Sequence, residues 1–137
     1  VGYSPIVYPF AYGAIPMTWD FDNDPLDIVI ANVTEQFVPG SLVEIKIIGM
    51  MKFEDDGEVD DKIIGVVNDD KRNNHIKTID DLGEYFKTET QYFWEKYKEL
   101  KKPGTGVTKG FFDKAEAVKV IKECEERYKT IYLKKFE

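Results

Sequence analysis

Two acidic clusters border apolar runs in this chain, and their residue types and spacing are those of chemistry on hard cations. The first reads Asp22-Asn23-Asp24-Pro25-Leu26-Asp27, directly before Ile28-Val29-Ile30. The second reads Asp55-Asp56-Gly57-Glu58-Val59-Asp60-Asp61-Lys62, directly before Ile63-Ile64-Gly65-Val66-Val67. Carboxylates crowded in this way repel one another and resist ionisation unless cations sit among them. Set beside core-forming segments, they read as a cage for divalent metals. Oxygen-only ligand sets favour Mg²⁺, Mn²⁺ or Ca²⁺ over zinc or copper.

The first cluster opens like a calcium-binding EF-hand loop, but that loop needs a glycine at its sixth position and a glutamate at its twelfth. Here Pro25 and Ala31 stand there, so that reading fails. In an extended backbone Asp22 and Asp24 share a face, and Asp27 returns at the mouth of a strand. In the second cluster Asp60 and Lys62 share a face while Asp61 points away. A carboxylate beside a lysine suits a metal-bound phosphate, with the metal on the acid and the ammonium on phosphate oxygens. A lone acidic run is ordinarily a solvated loop, and Asp56, Glu58 and Asp61 are read so.

The elements that must position these residues divide into a strand-rich part and a helical part. Short extended pieces are expected from Ile6 to Ile15, broken by Pro9 and Gly13. A buried strand is expected from Asp27 to Val33, a long one through Leu42, Val43, Ile45, Ile47 and Ile48, and another from Lys62 to Val67. Residues 68–74 read as a loop. A helix capped by Asp80 or Asp81 carries Leu82, Phe86, Phe93, Tyr97 and Leu100 at helical spacing and ends at Lys101-Lys102-Pro103-Gly104. Asp113 with Glu116 is a capping-box-like start for a second helix, whose apolar stripe runs Ala117, Ile121, Cys124, Tyr128 and Ile131. Cys124 lies on that stripe and reads as a core residue rather than a nucleophile.

Bulk properties suit one small domain of 137 residues, 42% hydrophobic and 14% aromatic. A formal charge of −7 disfavours nucleic-acid binding. No apolar run reaches the ~18 residues of a membrane span. A single cysteine excludes an internal disulfide and is compatible with a reducing, cytoplasmic setting. Asn32-Val33-Thr34 fits the glycosylation pattern but reads as a chance match. The chain opens on Val1 without a methionine, so a processed or partial form is expected.

With these residues in view, the chain resembles the soluble family I inorganic pyrophosphatases over almost its whole length. Asp22 to Ile28 matches that family's aspartate signature. Tyr8-Pro9-Phe10-Ala11-Tyr12-Gly13-Ala14-Ile15-Pro16 is similar to its tyrosine-bearing segment, and Pro39-Gly40, Ile48-Gly49-Met50-Met51-Lys52, His75-Ile76-Lys77 and Tyr97-Lys98 follow in family order. The resemblance implies a mainly β fold of α+β class, a five-stranded OB-like Greek-key barrel with two C-terminal helices packed outside, as a single domain over 1–137. It implies hydrolysis of pyrophosphate to two phosphates by metal-activated water, with several Mg²⁺ ions per site and Mn²⁺ as a possible substitute.

By the same resemblance Asp22, Asp27 and Asp60 hold activating metals, with Asp27 bridging two of them. Asp55 joins Asp60 in serving metals that arrive with substrate. Asp24 orients and deprotonates the attacking water. Tyr12, Lys62, Tyr97 and Lys98 bind phosphate oxygens, and Tyr8 lines the site. His75 is left without a chemical task and reads as structural or surface. A homo-oligomer, dimer or hexamer, is expected.

Three departures stand out. The family's N-terminal region, which supplies a glutamate, a lysine and an arginine, does not precede Tyr8 here, so opening strands and part of the activity are expected to be missing. Ala11 replaces a common asparagine, and Met17 stands where a polar or basic residue is frequent. The alternatives are a noncatalytic binding or scaffold module of the same fold, and a nucleic-acid-binding OB module, against which the charge speaks.

Overall fold

A computed structural model describes residues 10–33, 37–101 and 106–134, the side chains of 98–101, 133 and 134 excepted. Its centre is one sheet of β1 (Ala11–Ala14), β2 (Asp27–Ile30), β3 (Ile45–Asp55), β4 (Glu58–Val59), β5 (Lys62–Val67) and β6 (Gly106–Asp113). The strand order is β1-β2-β5-β3-β4, with β6 on the other side of β3. Two helices complete the fold, α1 (Phe86–Lys101) and α2 (Lys114–Lys134). The class is the expected one, mainly β with two helices in OB-like form.

Side-chain alternation splits the core into two layers, one on each face of the sheet. Val29, Met51, Phe53, Ile64 and Val66 pack with Phe93 and Trp94 of α1. Ile28, Ile30, Met50 and Ile63 pack with Ala117, Val120 and Cys124 of α2. Cys124 is buried, as its place on the apolar stripe requires. Each large side chain so buried contributes roughly 1.5–3 kcal/mol. A register shift between Ile47 and Gly49 changes the phase of β3. Ile45 and Ile47 lean to the α2 layer, whereas Met51 and Phe53 serve the α1 layer. A one-residue bulge is what lets a strand exchange faces in this way.

The helix start at Asp113 holds: its Oδ1 accepts the Glu116 amide at 3.1 Å. The earlier helix differs from expectation. Ile79–Leu82 forms a separate 3₁₀ turn, and α1 begins only at Phe86. Asp81 serves that turn, its Oδ2 accepting the amides of Lys77 at 2.9 Å and Thr78 at 3.0 Å. The strand expected through Leu42 to Ile48 begins at Ile45 and continues to Asp55, and β2 ends at Ile30. Strand β6, between the helices, was not anticipated.

Candidate active site

Sheet register builds the floor of the site. In the antiparallel pair β1–β2, Tyr12 lies opposite Val29 and Ala14 opposite Asp27. In the parallel pair β2–β5, Asp27 lies opposite Lys62, which in turn lies opposite Met51 of β3. Facing residues share a face, so Asp27 and Lys62 come up together on the α1 side. The Lys62 ammonium donates to Asp27 Oδ2 at 2.6 Å and to Asp60 Oδ1 at 2.9 Å. Its side chain is only 2% exposed and its charge sits 4.2 Å from the Trp94 ring centroid. A buried ammonium needs such compensation; removing one partner from a buried pair typically costs about 3–5 kcal/mol.

The loop from Ile15 to Leu26 carries the other two aspartates of the first cluster. Its base is tied by Thr18, whose Oγ1 donates to the Ile15 carbonyl at 2.6 Å and accepts the Leu26 amide at 3.0 Å. At its tip Asn23 takes a left-handed φ of 63°, a conformation asparagine tolerates. Asp22 Oδ1 accepts the Asp24 amide at 3.1 Å. The β3–β4 hairpin turns at Asp56 and Gly57, with φ of 54° and 81°. Asp55 and Glu58 are therefore cross-strand neighbours.

These pieces enclose a cavity of about 420 Å³ lined by Tyr12, Asp22, Asp24, Asp27, Asp55, Asp60, Lys62 and Tyr97, with Ala14, Pro25, Glu58 and Trp94. Eight of the ten residues singled out in the sequence thus face one space. Tyr8 lies outside the described residues. Lys98 lies on α1, one residue after Tyr97, and its side chain is outside the described residues. Tyr12 and Tyr97 each set an edge against Trp94, at 5.8 and 5.9 Å between centroids.

Electrostatics in the cavity are strained in the sense that favours cations. Burial, then the neighbouring Asp60 carboxylate, pushes Asp22 up to about 7. Burial also raises Asp27, although Lys62 pulls the other way and Asp60 adds to the rise. The donor set of Asp22, Asp27, Asp55 and Asp60 is oxygen-only and anionic, so in type and charge it fits hard divalent ions. In this arrangement Asp27 and Asp60 turn to the Lys62 ammonium, and among the described residues no three His, Cys, Asp or Glu side chains are grouped as a ready-made ion site.

Three residues differ from the sequence reading. Asp61 is not solvated but 7% exposed; its Oδ1 accepts the Phe53 amide at 3.2 Å, and burial pushes it up to about 6. Glu58, also read as a solvated loop residue, is exposed as expected but stands on β4 at the cavity edge. Trp94, which no residue pattern singles out as a site residue, lines the cavity because it lies one turn before Tyr97 and shares its side of α1. Asp56 is exposed on the hairpin turn, and His75 is exposed.

A family model described as inorganic pyrophosphatase matches residues 1–129. An inorganic pyrophosphatase of Neisseria meningitidis is 47% identical over 122 residues, 88% of this chain and 68% of that protein. Among solved structures, the inorganic pyrophosphatase of Neisseria gonorrhoeae superposes with a TM-score of 0.81 at 45% identity, covering 88% of this chain and 69% of that one. The Thermus thermophilus enzyme gives 0.81 at 40% identity, covering 89% and 71%.

Proposed function

The chain belongs to the inorganic pyrophosphatase family, and from that membership we infer that it hydrolyses inorganic pyrophosphate to two phosphates in the acidic cavity. The observation that supports this site is the meeting of Asp22, Asp24, Asp27, Asp55 and Asp60 with Lys62, Tyr12 and Tyr97 around one space. Pyrophosphate is strongly anionic, so carboxylates can line its site only if cations reverse the local field.

Asp22, Asp27, Asp55 and Asp60 would hold the metal, Mg²⁺ with Mn²⁺ as a substitute. Bound there, the ions would supply Lewis acidity and neutralise substrate charge. Asp24 orients the attacking water and takes its proton, a task open to it because it is exposed at the cavity edge. Lys62 and the hydroxyls of Tyr12 and Tyr97 hold phosphate oxygens and stabilise charge as the bridging P–O bond breaks. The Trp94 face beneath Lys62 limits where that ammonium can go. Tyr8 and Lys98 complete the substrate set in the same reading, which also extends to a homo-oligomer, dimer or hexamer, working in the cytoplasm. No described helix is long and apolar enough to cross a membrane.

Phosphate release from pyrophosphate with Mg²⁺ tests the reading. Two phosphates per pyrophosphate consumed are expected; a folded protein that releases none would overturn it. The noncatalytic scaffold alternative, which predicts that null result, is not favoured by these relatives.

A further inference from the structure

On the phosphate-binding side of the cavity lies an indole that touches three of the proposed substrate ligands at once. Trp94 of α1 is 4% exposed. The Lys62 ammonium sits 4.2 Å from its ring centroid. The Tyr12 ring meets it at 5.8 Å and 80°, and the Tyr97 ring at 5.9 Å and 83°. These three side chains come from β5, β1 and α1, so no single element sets their spacing. The indole is itself confined, with Phe10 stacked against it at 6.0 Å and Phe93 meeting it edgewise at 5.2 Å. Its Nε1 is buried and, among the described residues, finds no hydrogen-bond acceptor, so ring contacts hold its orientation. A buried N–H of that kind is a cost that a phenylalanine would not carry, and core filling alone gives no reason for it.

We propose that Trp94 is a positioning residue that holds Lys62, Tyr12 and Tyr97 in place against the phosphate oxygens of the substrate. The proposal rests on the functional reading above and deepens it. The carboxylates that hold Lys62, Asp27 at 2.6 Å and Asp60 at 2.9 Å, are the ones that reading assigns to metal. The indole face serves no ion, so it is the contact that stays with Lys62 when those carboxylates turn to metal. An indole is the best aromatic face for an ammonium, and edge-to-face contacts orient neighbouring rings. A misplacement of about 1 Å at a reacting centre can cost roughly 100-fold in rate.

Two variants separate the ring from mere bulk. Trp94→Leu removes the aromatic face, while Trp94→Phe keeps a smaller one. Each is read beside the wild type for Mg²⁺ affinity by calorimetry, inorganic phosphate affinity at saturating Mg²⁺, kcat/KM for pyrophosphate, and circular dichroism. In a folded Trp94→Leu, phosphate affinity and kcat/KM should each fall about 10-fold or more, with Mg²⁺ affinity close to wild type. Trp94→Phe should recover most of the loss. Wild-type phosphate affinity and kcat/KM in a folded Trp94→Leu would overturn the proposal. So would an equal loss in Trp94→Phe, or a loss of Mg²⁺ affinity matching that for phosphate. If Trp94→Leu does not fold, indole emission decides, read in a Trp19→Phe background that leaves Trp94 as the remaining tryptophan. Inorganic phosphate at saturating Mg²⁺ should shift that emission, because the charge above the ring changes when phosphate meets Lys62. Constant emission at saturating phosphate overturns the proposal. A wild type that releases no phosphate from pyrophosphate would sink the functional reading, while the emission titration still decides on Trp94.

Discussion

Asp27 is the residue on which most of the proposed site converges. It lies opposite Lys62 in the parallel register and accepts its ammonium at 2.6 Å. Burial raises its proton affinity, and the nearby Asp60 carboxylate adds to that rise. Asp27→Asn keeps shape and an acceptor for the Lys62 ammonium, which retains the Asp60 carboxylate, so the fold should survive while cation binding weakens. Turnover efficiency is expected to fall roughly 10²-fold or more, the scale of losing one preorganised charge at a reacting centre. Calorimetric Mg²⁺ affinity indistinguishable from wild type would argue that Asp27 is only the structural partner of Lys62. The meeting of Asp27, Asp60 and Lys62 was legible because Asp60 and Lys62 alternate in extended backbone and Asp27 opens a strand, whereas Asp22 and Asp24 reach the same cavity from a turn with Asn23 at a φ of 63° rather than from the extended backbone expected. The burial of Asp61 was not, because it depends on Asp20 and Cys124 arriving from distant parts of the chain.

At the scale of elements, the site depends on strands held close enough to keep Asp27 beside Lys62. Gly65 of β5 marks a tight point: a Cβ there would run into the Ile45 side chain and lie 2.8 Å from the Lys46 carbonyl oxygen. Backbone cannot yield as a side chain can, so Gly65→Ala should destabilise the protein by about 1–3 kcal/mol. A denaturant midpoint equal to wild type would show that the β3–β5 contact is looser than described. The 3₁₀ turn before α1 gives a pH signature. Backbone donors from Lys77 and Thr78 lower the Asp81 carboxyl below its ordinary 3.8. A depressed native pKa stabilises above the unfolded value and is lost as pH falls through the native one. Asp81→Ala should therefore lower Tm at neutral pH, and the gap from wild type should close on the acid side of 3.8. A gap constant with pH would remove the carboxylate from the account. Strand β2 and the α2 start were readable from β-branched runs and a cap. Strand β6 was not: its alternation puts Val107 outward, and its pairing is supplied by β3, far away in sequence.

For the whole molecule, the sheet separates two tasks. Its α1 face presents the carboxylates, Lys62 and the aromatic floor, and its α2 face buries Asp20, Asp61 and Cys124. The two-layer core follows from alternation along each strand, but the phase change in β3 required the bulge beside Gly49, which no local pattern announced. The most direct test of the central claim is phosphate release from pyrophosphate with Mg²⁺, measured across pH for the wild type and Asp24→Asn together. Asp24 is exposed, so its removal tests chemistry rather than folding. The prediction is two phosphates per pyrophosphate from the wild type and a kcat lower by roughly 10²–10⁴-fold in the variant. Circular dichroism and Mg²⁺ affinity should be little changed, and the deficit should narrow at higher pH, where water ionises with less help from a base. No phosphate from folded wild type, or a variant whose rate and pH profile match it, would contradict the account.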